Sequence, residues 1–215
     1  GAARCDRIEA VRIDMSQAFI AVVKEALKNA RIIFDRFHVQ KLVQEALDEV
    51  RRAEVRTITD PEERRALKRT RFALLKNPWN LTTLEQAKLT ELPRANSRIY
   101  RAYLMKESFA AILDLREPDV VAAKLAEWIS WASHSGLKPF AKAGRTIAKH
   151  IDGIVAYVAT GLSNGRSEGI NGKVRTITRR SYGLHGASAL IALIHLCCSG
   201  IKLNPPHSRP RIHQT

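Results

Sequence analysis

Apolar and polar positions change their period along this chain. Residues 9–14 and 30–35 are short apolar runs of strand length, and between them residues 16–28 repeat apolar Phe19, Ile20, Val22, Val23, Ala26 and Leu27 at helical spacing. Strand, helix and strand in so few residues predict a βαβ unit whose strands are parallel neighbours. Each run ends on an aspartate, Val11-Arg12-Ile13-Asp14 and Ile32-Ile33-Phe34-Asp35, the latter continuing into Arg36-Phe37-His38. Asp14 and Asp35 are therefore expected at one carboxyl edge, where open α/β sheets hold ligands. From residue 39 to about 152 the period is helical throughout, over 39–57, 61–76, 84–90, 93–115, 118–134 and 139–160, with prolines at expected first turns. A Gly, Ser and Asn-rich turn at 161–172 leads into a further helix, and residues 187–198 read as a core helix. The class expected is α/β and helix-rich.

Composition narrows the partners. At 215 residues and 45% apolar the chain is large enough for a buried core, and 36 Lys and Arg against 21 Asp and Glu give +15 and a pI near 10.2. Such a surplus is the footprint of a polyanion-binding surface, with DNA as the leading partner. Three cysteines, Cys5, Cys197 and Cys198, form no disulfide framework or metal knuckle, so a reducing compartment is expected. No signal peptide is recognisable, and the most apolar stretch is too short for a bilayer span. Neither a membrane nor a small-molecule substrate is expected. Residues 204–215, rich in Pro and Arg, are expected to form a disordered basic tail.

Candidate chemistry concentrates on isolated acids. Glu168 is the only carboxylate from residue 153 onward, a stretch of 63 residues carrying eight Lys and Arg. Within Ser163-Asn164-Gly165-Arg166-Ser167-Glu168-Gly169-Ile170-Asn171 it is placed to hold a cation, and with strand-end acids it points to phosphoryl transfer. Each residue also has a plainer role open to it. Asp14 or Ser16 could cap the following helix. Glu168 could stabilise a helix N-terminus by about 0.3–1 kcal/mol. His38 at a strand-to-helix junction reads as a structural residue, with Asp35 as a partner or minor metal contact. His134, His150, His185 and His195 lack zinc-ligand spacing, and Trp79, Trp128 and Trp131 read as core anchors.

Two blocks carry a resemblance. One runs from Asp14-Met15-Ser16 through Lys28-Asn29-Ala30-Arg31-Ile32-Ile33-Phe34-Asp35-Arg36-Phe37-His38-Val39-Gln40-Lys41-Leu42 to Ala46-Leu47-Asp48-Glu49-Val50-Arg51-Arg52. The other is Ser163 to Arg175 with Arg179-Arg180-Ser181-Tyr182-Gly183. Together they resemble the catalytic domain of bacterial insertion-sequence transposases of the DDE type, in the ISL-three family. The resemblance implies a partial RNase H-like core, βαβ plus C-terminal helices, over 1–50 and 153–203, with a large all-α insertion at 51–152. It implies DNA cleavage and strand transfer on two Mg²⁺ or Mn²⁺ ions, with Asp14 and Glu168 as catalytic metal ligands. Asp35, His38, Asn164 and Asn171 would support the site, and Lys173, Arg175, Arg179 and Arg180 would bind DNA. The family's first acid is expected upstream of residue 1, so the chain alone is expected to be a C-terminal, inactive portion of a cytoplasmic, nucleoid-associated bacterial enzyme. Transposon ends, target DNA and a homo-oligomer are the expected partners. The alternative is a non-catalytic basic helical protein that binds DNA or regulates a transposase.

Overall fold

A computed structural model describes residues 2–161, 165–181, 183 and 186–199. The chain divides into two compact units, Gly1–Leu162 and Ser163–Thr215. The first contains α1 (Ala2–Cys5), β1 (Ala10–Ile13), α2 (Gln17–Ala26), β2 (Arg31–Phe34), α3 (Arg36–Thr57), α4 (Pro61–Lys68), α5 (Arg71–Leu75), a 3-10 turn (Pro78–Asn80), α6 (Thr83–Ala95), α7 (Ser97–Ile112), α8 (Pro118–His134), α9 (Lys138–Lys149) and α10 (Ile151–Thr160). The second contains α11 (Gly165–Arg180) and α12 (Ala187–Cys198). Helices dominate, and the described strands are the two parallel ones expected, paired Ala10 to Arg31 through Ile13 to Phe34.

The core of the first unit is built around α3, whose buried Val39, Val43, Ala46, Leu47 and Val50 follow helical spacing. It packs against α7 and α9, and α8 lies against α9. Trp128 fills this interior, its indole N–H donating to the Met105 carbonyl at 2.9 Å and its ring 4.8 Å from Phe109. Helix α10 packs on β2 so closely that a Cβ on Gly153 would lie 2.5 Å from the Phe34 ring and 3.0 Å from the Ile32 carbonyl oxygen. Glycine is the residue that permits this approach.

Local rules account for most boundaries. Asp60 accepts from the Glu63 N–H at 2.9 Å and caps α4, while Thr82 and Glu85 form a reciprocal capping box on α6. Pro118 begins α8 as expected. Five expectations need correction. Residues 61–76 divide into α4 and α5, and residues 139–160 divide at His150 into α9 and α10. Pro93 lies inside α6, because Asn96 accepts from the Ile99 N–H at 2.9 Å and opens α7 there. Trp79 and Trp131 are exposed, Trp79 at 76%, leaving Trp128 as the core anchor. Helix α12 buries no residue; among the described elements of its unit it packs against α11. The expected tail, 204–215, lies outside the described residues. No described helix is long and apolar enough to cross a membrane, and all three cysteines are free.

Candidate functional site

The strand register brings Asp14 and Asp35 to adjacent positions, one residue beyond the Ile13–Phe34 pair, and the Asp35 N–H donates to the Ile13 carbonyl at 3.3 Å. Their environments then diverge. Asp35 is buried; its Oδ1 accepts from the Phe37 N–H at 2.8 Å, capping α3, and lies 2.9 Å from Arg12 Nη2. Arg12 is partly buried and rests over the Tyr157 ring at 5.1 Å. This carboxylate is an anchor that fastens α3 to β1.

Asp14 is half-buried, and its Oδ1 accepts from the Ser16 N–H at 2.9 Å. The turn places Ser16 at the N-cap of α2, and neither side chain caps that helix, because Ser16 makes no such bond and Asp14 reaches only the Ser16 amide. Among the described residues Asp14 Oδ2 has no hydrogen-bond or ion-pair partner, which leaves a hard oxygen donor open at the strand edge. His38 stands in the first turn of α3, edge-on to Phe37 at 5.5 Å, and its Nδ1 is buried without a hydrogen bond. A polar atom buried unpaired costs about 1–3 kcal/mol.

Glu168 lies in the first turn of α11 and is exposed, as are Asn171, Lys173, Arg175, Arg179 and Arg180. Its acid end and basic end each complement the helix dipole. At roughly 100° per residue, Asn171, Arg175 and Arg179 share the face of Glu168, whereas Lys173 and Arg180 lie about 120° around the helix. The four expected DNA-binding cations thus form two pairs on different faces. Asn164 lies outside the described residues. No group of three or more His, Cys, Asp or Glu that could hold a metal occurs among the described residues. The candidate ligands divide between the units, Asp14 with Asp35 and His38 in the first and Glu168 in the second. Sequence reasoning missed Arg12, although a cation inside an otherwise apolar strand was a signal that a buried acid waits nearby.

Residues 1–194 match the transposase family of the DDE_Tnp_ISL3 type. The chain belongs to this insertion-sequence transposase family. This transposase chain is 36% identical, over its whole length and 53% of the relative, to the transposase for insertion sequence element IS1557 of Mycobacterium tuberculosis. It is 30% identical to the transposase for insertion sequence element IS1001 of Bordetella parapertussis, over 82% of this chain and 44% of that protein. The transposase chain therefore spans about half the length of these relatives. No solved structure matches it.

Proposed function

We propose that this chain carries the second and third carboxylates, Asp14 and Glu168, of a DDE transposase that cleaves DNA and joins strands at the ends of an insertion sequence. The observation that carries the reading is the contrast at the strand edge: Asp35 is engaged by Arg12 and the α3 cap, whereas Asp14 keeps an oxygen open. Two Mg²⁺ or Mn²⁺ ions, when bound, would polarise the scissile phosphate and activate the attacking hydroxyl. Asp14 and Glu168 would hold them, and carboxylate oxygen is the donor such hard cations prefer. Asp35 sets the position of α3 and His38, while Asn171 orients Glu168 from the next turn. Lys173, Arg175, Arg179 and Arg180 hold backbone phosphates, contributing affinity that falls with salt. On this reading 1–50 and 153–203 form part of an RNase H-like core, and 51–152 an insertion. The family's first acid has no residue assigned to it in this sequence.

The test is a chimera in which this sequence replaces the matching half of the IS1557 transposase, assayed for nicking of that element's end DNA. Cleavage should require Mg²⁺ or Mn²⁺. Asp14→Asn and Glu168→Gln should each lower it by about 100-fold or more, corresponding to roughly 3 kcal/mol of lost charge stabilisation, with DNA binding retained. Unchanged cleavage in either variant would remove that residue from the site.

A further inference from the structure

The basic surface of the first unit is not uniform. At one point on α3 the carboxylate of Asp48 gathers three guanidiniums: Arg51 through Nε at 2.9 Å and Nη2 at 2.7 Å, Arg52 through Nε at 3.2 Å, and Arg71 of α5 through Nε at 3.4 Å. Arg51 is buried and by itself balances the acid. Arg52 and Arg71 are half exposed, and no other carboxylate among the described residues lies within ion-pairing distance of either. Both meet Asp48 through Nε, which leaves the paired terminal nitrogens of each fork for another acceptor. They line a recess of about 250 Å³ together with Lys41. Lys41 has only a loose, exposed contact with Glu45 at 3.8 Å.

We infer that Arg52 and Arg71, held by Asp48 and assisted by Lys41, form an oxyanion site for a phosphate group, the phosphate being one of the nucleic-acid backbone. Two excess forks positioned by a shared carboxylate suit bidentate recognition of phosphate, and they are oriented before the ligand arrives. Position fits as well. Lys41, Glu45, Asp48 and Arg52 succeed one another at three- and four-residue steps from His38, so one stripe of α3 leads from the Asp14 edge to this recess. From Asp35 to Asp48 is thirteen residues, about 20 Å along the helix, the length of roughly six base pairs. A duplex lying along this stripe would be held at a second place well away from the candidate acids. The inference rests on the proposed function for its choice of DNA as the source of the phosphate.

The test measures binding of the full chain to a short labelled duplex by fluorescence anisotropy across a salt series. Arg52→Gln with Arg71→Gln keeps a polar contact to Asp48 while removing both charges. It should make the plot of log affinity against log salt shallower by about 1.8, equivalent to about 60-fold weaker binding at 0.1 M salt when the lines converge at 1 M. Arg52→Lys with Arg71→Lys should retain most of the slope. Arg56→Gln with Arg65→Gln, which removes equal charge from exposed positions elsewhere, should alter it by less than half as much. An unchanged slope in the Gln pair, or equal flattening in the control, would overturn the site and leave DNA binding by the chain intact. Wild-type protein without salt-sensitive binding would overturn the proposed function as well. Inorganic phosphate supplies the last arm: stabilisation of the wild type but not of the Gln pair, with an unchanged DNA slope, would assign the recess to free phosphate and refute the backbone reading.

Discussion

Gly153→Ala probes the contact that fixes α10 against the sheet. A new Cβ would stand 2.5 and 2.6 Å from two Phe34 ring carbons and 3.0 Å from the Ile32 carbonyl oxygen, about 1 Å inside ordinary carbon contact. Phe34 cannot turn aside freely, being 4% exposed and edge-on to His150 at 4.9 Å. Overpacking of this kind costs about 1–3 kcal/mol, whereas replacing a helical glycine by alanine returns about 1 kcal/mol of intrinsic propensity. The clash wins, by roughly 1–2 kcal/mol. In a unit of this size each kcal/mol lowers Tm by about 2–4 °C. Trp79, Trp128 and Trp131 all belong to the first unit, so tryptophan fluorescence during thermal unfolding follows it separately. Adding Phe34→Leu should recover part of the loss, because the ring is what the methyl strikes. A Gly153→Ala protein that melts at or above the wild-type temperature would refute the argument.

Other expectations follow from the same geometry. Gly169→Ala in α11 meets nothing within 4 Å and should stabilise that helix by about 0.5–1 kcal/mol, read as a delayed loss of helical circular dichroism. Arg12→Met removes the guanidinium paired with buried Asp35 and should cost about 3–5 kcal/mol in chemical denaturation, whereas Asp14→Asn should stay within about 0.5 kcal/mol of wild type. Glu85 is held down at about 2 by the Lys76 ammonium and the Thr82 amide, so its stabilising contribution is present above 4.5 and disappears as pH falls through about 2. Urea unfolding of Glu85→Gln should lack that acid-side loss. Burial, with Lys149 and Lys24 adding to it, lowers the pKa of His150, so the folded state favours the neutral ring and loses stability as pH drops below 6.5. His150→Phe should flatten that dependence.

How much the sequence revealed depends on whether a feature is local. The βαβ unit was readable because period, length and terminal acids coincide within residues 9–35, and its strands differ from expectation by one residue at each end. Helix α8 matched because Pro118 and the turn at Gly136 bracket it. The divisions at Arg69–Thr70 and His150 were hidden, since apolar spacing runs across both. Helix α2 shows the limit of periodicity: of the six apolar positions expected along it only Ile20 and Val23 are buried, its main packing partner being the short strand β1. At the candidate site, the nearness of Asp14 and Asp35 was legible from strand polarity. Their different engagement was not, because it depends on Arg12 and Tyr157, and Tyr157 is brought in from more than a hundred residues away.

Helix α3 runs unbroken for 22 residues, about 33 Å, from its cap on Asp35 to Thr57. A rod of that length acts as a lever: a pivot of 5° at the strand end sweeps its far end by about 3 Å. Removing the Asp35 cap should therefore perturb resonances near Glu54, Asn96 and Arg98, where the distal end is tied down by bonds of 2.7 and 3.1 Å, as strongly as those beside the substituted residue.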